Sequence, residues 1–582
     1  MGSEEQENSE VKREVGVYTL IAIGVGGTLG ASIFAILGYA AGMAGPSVVL
    51  SFLIGGLLTV LVGLTYSELS STFPESGGGY TFAKKAYGGL PAFLTGWLMA
   101  FSNIVFGALS ALGFAQIIGF VAGIPYIMQI PIALALLLIF TVLNFRGIEE
   151  SGRTQIILVV VLIIGFAIFT GISAFFVSES NLQPFMPAGW PGILEATSFT
   201  FVSYFGFETI ATVSGEASEP GKDIAVATMA SVLICTVVFV SIAWVAIGVV
   251  GGDALAAAVS PLMLVGEEAF GLGGVALVGV VGAIATLSSL NTSLLASSRI
   301  VFALGRDGFM PDRVSKTNEN GVPVAALILA AALMAVFVST GVVEYVAHVA
   351  DFNLFVALIL VTISLLFLRR KRAVLDRPFK SPRITAPLSA IALGFFVLFL
   401  NNVAIATGIA IIFVGIIIYL MKITPRVNRS LTLGGISGAA GYALLFVMWI
   451  GDWSLVWQTG IGGLDLAPFL TIGSVILLIS SLLCTVPLGR LVVGDESIDP
   501  ASPTLHHVKI FEDIIGGITI IFGAFALGVF YIVFHGGVTF PTMGGTAAGY
   551  RLLTILSLVG YAFSAIIAGM ALWQRKYATM KE

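Results

Sequence analysis

The chain has 582 residues, of which 57% are hydrophobic and only 10% charged, with a mean hydropathy of +1.03 and a net charge of −5. A soluble domain carries roughly 25% charged residues, so a water-soluble globular enzyme is excluded and a multi-pass membrane protein is indicated. Basic residues scattered through loops argue against nucleic acid as a partner, and two cysteines, Cys235 and Cys484, each inside an apolar run, support neither a disulfide framework nor a metal cluster.

Residues 1–16, MGSEEQENSEVKREVG, read as a polar cytoplasmic tail without a secretory-signal pattern. A membrane helix needs about 20 mostly apolar residues. That ruler predicts spans near 17–43, 46–73, 91–122, 125–144, 154–177, 192–215, 224–250, 273–304, 323–340, 343–368, 384–401, 403–421, 431–451, 467–487, 512–534 and 552–573. The total is about sixteen, with about fourteen as the alternative count. The expected organisation is a ten-helix core over 17–368, two helices over 383–422, a four-helix membrane extension over 430–574 and a cytoplasmic tail at 575–582. The longest polar gap, 489–513, is too short to build a soluble core.

The first span contains IAIGVGGTLGASIF, with Gly24, Gly26, Gly27 and Gly30 in the middle of what should be a helix. Backbone that leaves the helix inside a bilayer is tolerated only where a cavity, ligand or ion satisfies its polar groups. The alternative is close helix packing through a small-xxx-small contact at Gly26 and Gly30. The sixth span, FTFVSYFGFETIATVSGEASEPGKD, carries a second interruption at Gly206, with Glu208 near mid-span. Paired interruptions in segments one and six point to two inverted five-helix halves whose broken ends meet at the midplane. There, exposed N–H groups suit a carboxylate and exposed carbonyls suit an ammonium or a small cation, a pairing that matches a zwitterionic amino acid. The spacing GVGGTLG lacks the G-x-G-x-x-G pattern and follows no strand, so it is not a nucleotide loop.

The eighth span, IATLSSLNTSLLASS, offers Ser288 and Ser289 as oxygen ligands for sodium, or as packing hydroxyls bonded to their own helix. In the tenth, Glu344, His348 and Asp351 share one helix face. They form a candidate proton relay, or else Glu344, with or without His348, lies at the outer water interface while Asp351 caps a contact. Retention of Lys and Arg on the cytoplasmic side orients the chain. With the N-terminus inside, all of the 27 basic residues except Arg299 and Arg551 fall in alternate, cytoplasmic gaps, and both termini are cytoplasmic.

Four blocks, IGVGGTLGASIF, YSELSSTFPESGGGYTFAKKAYG (66–88), SYFGFETIATVSGEASEPGKDI (203–224) and ALGRDGFMPDRVSKTNENGVPVAALIL (303–329), resemble the amino acid–polyamine–organocation transporters, specifically prokaryotic amino acid permeases. The resemblance covers 17 to about 422 and implies an all-α membrane fold, a LeuT-like 5+5 inverted repeat with helices 1 and 6 broken, here followed by additional C-terminal helices. It implies that the backbone groups of a small amino acid or amine are met at Gly27, Thr28, Gly30, Ala31 and Ser32 of the first break and at Ser203, Phe205, Gly206 and Glu208 of the second. Glu208 has its own warrant as a mid-membrane carboxylate, with a hydrogen bond bracing the broken helix as its alternative role.

Two positions depart from the family pattern: Gly30-Ala31-Ser32 stands where Gly-Ser-Gly or Gly-Ala-Gly is common, and residue 225 is Ala where Pro is usual. The presence of Ser32 bears on the size of the substrate rather than its class. In proton-coupled relatives a lysine in the fifth span occupies the sodium position; here the matching residue is Val160 and the span has no ionisable side chain. The expected function is therefore a permease of the cell membrane, not an enzyme, without a cofactor beyond a coupling sodium ion or proton. A polyamine or cationic amino acid carrier, an exchanger, and a non-transporting sensor or scaffold are the alternatives. A channel lacks its repeated filter loop, and a membrane enzyme lacks H-E-x-x-H or a nucleophile-base pair among four histidines, at 348, 506, 507 and 535. The oligomeric state is open.

Overall fold

The computed structural model describes residues 15–75, 77–145, 152–371 and 377–423. The predicted extension over 430–574, the tail at 575–582, Cys484 and the histidines at 506, 507 and 535 lie outside the described residues. By internal contacts the chain forms two units, Met1–Ala404 and Ile405–Glu582. Among the described residues the architecture is all helical, with no strand beyond a single bridge between Val15 and Ala217.

The first broken span is α1 (Val17–Thr28) and α2 (Ser32–Ala44), followed by α3 (Val48–Thr72), the short α4 (Gly78–Ala86), α5 (Gly89–Ala122), α6 (Tyr126–Asn144) and α7 (Gly152–Ser173). The second broken span consists of α8 (Gly189–Thr200), a 3₁₀ turn at Phe201–Tyr204 and the single-turn α9 (Thr209–Thr212). Then come α10 (Pro220–Val250), α11 (Gly252–Ala257), α12 (Pro261–Arg306), α13 (Val324–Thr340), α14 (Val343–Lys371) and α15 (Thr385–Val397). The last, α16 (Asn402–Ile423), contains the boundary between the two units. Helix α12 is bent where Phe270 (φ −150°) and Gly271 (φ 62°) leave helical geometry.

Seven segments among the described residues are long and apolar enough to cross a membrane. Their backbones are helical because hydrocarbon offers no other partner for N–H and C=O groups. In the first unit α5 is the central post. It packs along α12 and α14 and is buried over nearly its whole length, while α10 lies on α3 and α1 lies between α10 and α7. Small residues make these approaches close: a methyl added at Gly56 would fall 2.4 Å from Thr236 Oγ1, and one at Gly107 2.3 Å from Met334 Cε, the small-residue packing expected between membrane helices.

Candidate functional site

Helix α1 stops at Thr28. Leu29 leaves helical geometry (φ −75°, ψ 65°), the Gly30 N–H turns back to the Thr28 carbonyl at 2.8 Å, and α2 restarts at Ser32. The first N–H groups of α2 have no carbonyl one turn earlier to bond. In the second broken span the 3₁₀ turn gives way to extended backbone at Phe205 (φ −60°, ψ 133°) and to Gly206 at φ 121°, a conformation that favours glycine. The chain re-enters helical turns only at Thr209, whose Oγ1 donates to the Gly206 carbonyl at 2.6 Å.

The two interruptions meet backbone to backbone. A Cβ on Gly206 would lie 2.2 Å from both the carbonyl carbon and the oxygen of Gly27 and 2.6 Å from the Thr28 nitrogen, so this contact has no room for any side chain. Around it, Gly30 faces Ser289 of α12, whose Oγ lies 2.2 Å from where a Cβ would sit, and Gly113 of α5 lies against Ala31. The ring of Phe205 packs on Phe106 of α5, with centroids 5.0 Å apart. Thr28 sits beside Cys235 of α10. The hydroxyls of Ser32, Ser203 and Ser289 are buried without a hydrogen-bond partner among the described residues, an arrangement that costs free energy unless a further polar group satisfies them.

Glu208 is buried, and its Oε2 accepts from the Gly206 N–H at 2.9 Å. It thus caps an amide that the interruption strips of its helical partner. Phe207, beside it, packs edge-on to Tyr66 of α3 at 5.5 Å.

The candidate coupling residues separate into two places. Ser289 meets the first interruption, whereas Ser288, one residue earlier, points about 100° away round the helix. The α14 residues reach the second interruption instead. His348 is buried with its ring 4.6 Å from Phe199 of α8. Asp351 is fully buried beside Val202, and Phe355, one turn on, stacks on Phe201 at 4.7 Å.

One expectation is corrected. Val160 does not face the first interruption: it is 48% exposed on the outer side of α7, while Val159 and Gln155 are buried. A methyl on Gly26 would lie 2.1 Å from Gln155 Nε2 and 2.7 Å from Val159 Cγ2, so a neutral amide and a valine form the α7 wall here. The buried stripe at 155, 159, 162, 166 and 169 follows the helical repeat, but both faces of α7 are apolar, so spacing alone does not tell which is inside. Phe106, Gly113 and Gln155 carry no sequence signal that marks them as neighbours of the interruptions.

The family pattern described as amino acid permease matches residues 15–422. The chain is 29% identical over 434 residues to the branched-chain amino acid permease BcaP of Bacillus subtilis, covering 71% of this chain and 93% of that protein. It is 27% identical over 451 residues to the methylthioribose transporter of the same organism, covering 72% and 95%. To the chloroplastic cationic amino acid transporter 9 of Arabidopsis thaliana it is 30% identical over 342 residues, covering 53% and 58%.

Proposed function

The chain belongs to the amino acid permease family, transporters rather than enzymes, and from that premise we propose that it is a secondary carrier moving amino acids across the cell membrane by alternating access. The fold we assign is the LeuT-like 5+5 inverted repeat, with both termini cytoplasmic. The observation that carries the reading is the pair of interruptions in contact at Gly27 and Gly206, flanked by the unpartnered hydroxyls of Ser32, Ser203 and Ser289. Amides at the start of α2 would take the substrate carboxylate and carbonyls at the end of α1 its ammonium. A small zwitterion fits this chemistry, and the paired rings of Phe205 and Phe106 offer an apolar surface for its side chain.

Ion-coupled symport is the favoured mode. A sodium ion would take Ser289 Oγ and carbonyls of the first interruption as oxygen ligands; a proton would use Asp351 and His348 beside the second. The residues here fit either ion, and the relatives' names span branched-chain and cationic amino acids. The test is uptake of labelled amino acids into proteoliposomes under separately imposed sodium and proton gradients, with arginine, putrescine, alanine and leucine as competitors. Concentrative uptake under one gradient, suppressed by alanine or leucine, is the expected result. Suppression by arginine or putrescine alone would assign a cationic amino acid or polyamine carrier. Counterflow without either gradient would assign an exchanger, and no flux of any substrate would overturn the reading in favour of a sensor.

A further inference from the structure

Away from the interruptions, three helix ends converge at one membrane face: the end of α3, the end of α14 and the approach to α15. Glu68, one turn before the end of α3, is fully buried there and saturated with donors. It accepts from Arg369 Nε at 3.1 Å and from Nη2, from Arg377 Nη1 at 3.2 Å, and from the Ser381 N–H and Oγ, each at 2.8 Å. Arg369 continues to the Ser381 carbonyl at 2.9 Å. This network forms the floor of an open pocket of about 910 Å³.

The rim holds charge that the floor does not use. Arg370, Lys380 and Arg383 line the same pocket, and among the described residues none of the three faces a carboxylate; Glu68, the one acidic residue among the described lining residues, is already spent on Arg369 and Arg377. Beside them the lining is apolar, formed by Ile363, Leu366 and Phe367 of α14, on the same helix as Arg370, with Ile363 exposed. The apolar segment Val343–Arg370 ends at this pocket, which places it at headgroup depth. A cationic rim beside a lipid-facing apolar wall matches an amphiphile with an anionic head, whereas free phosphate would have no use for the wall.

We propose that this pocket is a binding site for an anionic phospholipid, its phosphate held by Arg370, Lys380 and Arg383 and its acyl chain laid along Ile363, Leu366 and Phe367. The lipid would pin the ends of α3, α14 and α15 together and so set how far these helices move during transport.

The test is native mass spectrometry of the delipidated full-length carrier titrated with phosphatidylglycerol or phosphatidylcholine. The wild type should retain phosphatidylglycerol and not phosphatidylcholine. Each basic residue near a membrane surface contributes a factor of roughly five in affinity for anionic lipid, so Arg370→Gln/Lys380→Gln/Arg383→Gln should bind roughly a hundredfold more weakly. An Arg313→Gln/Lys316→Gln control, which removes exposed cations outside the pocket, should leave retention unchanged. Should the triple variant fail to fold, the single variants carry the same test at about fivefold each. Equal retention of phosphatidylcholine, unchanged retention in the variants, or displacement of phosphatidylglycerol by millimolar inorganic phosphate would overturn the proposal.

Discussion

Gly206 is the residue at which conformation, packing and function coincide. Its φ of 121° strains any side chain, and a Cβ would occupy the space of the Gly27 carbonyl. Gly206→Ala should therefore abolish uptake, with substrate-induced thermal stabilisation lost as the binding readout. A normally transporting variant would show that the two interruptions need not touch. At Gly30 the obstructing atom is a serine hydroxyl, which can rotate; Gly30→Ala should lower uptake less than Gly206→Ala in the same assay. Glu208 is separable in a different way. Its carboxylate satisfies the Gly206 amide, so Glu208→Gln, which keeps an acceptor, should fold and retain most transport. Glu208→Ala should leave a buried N–H unpaired at a cost of about 1–3 kcal/mol, measured as a lowered unfolding temperature in detergent. Equal loss of transport without loss of stability in both variants would instead assign the carboxylate to the substrate.

Between elements, two polar ties fix helix ends that the apolar spans alone would leave free to slide. The Glu68 network joins α3 to α14 and the segment before α15. Removing a buried carboxylate strands the cations it pairs, and because Arg369 and Arg377 are partly exposed the cost of Glu68→Ala is expected at up to about 3 kcal/mol, read by thermal unfolding. The second tie joins α4 to the end of α12 through Asp307, whose Oδ2 accepts from Tyr80 Oη at 2.5 Å and Lys84 Nζ at 2.7 Å. Burial pushes the Asp307 carboxyl up, but the hydrogen bonds from Lys84 and Tyr80 outweigh this and hold it below the usual carboxylate range. A group whose folded pKa is depressed stabilises the fold above its unfolded pKa, about 3.9 for Asp, and loses that contribution as pH falls through the folded value. The wild type should therefore lose unfolding temperature on the acid side of about pH 4, and Asp307→Asn should show a shallower acid slope.

At the scale of the whole molecule, two groups of polar side chains sit one against each interruption, Ser289 at the first and His348 with Asp351 at the second. With sodium as the coupling ion, Ser289→Ala should abolish its stimulation of uptake and Asp351→Asn should leave it intact; with the proton as the coupling ion the two variants should exchange behaviour, and a variant that leaves uptake unchanged removes its residue from the coupling step. The sequence by itself determined that this is a multi-pass membrane protein, because 57% hydrophobic composition admits no other solvent for the chain. It also located both interruptions, because a glycine cluster weakens the helix in span one and a glycine beside a mid-span carboxylate marks a second break in span six. Only the tertiary structure decided that Gly206 lies on Gly27, that Ser289 rather than Ser288 meets the first interruption, and that Gln155 and Val159, not Val160, wall it. The physical reason is the solvent. In water a polar stripe marks the outside of a helix, but lipid is as apolar as the protein interior, so α7 can turn either face inward without a trace in its hydropathy, and shape complementarity between helices makes the choice.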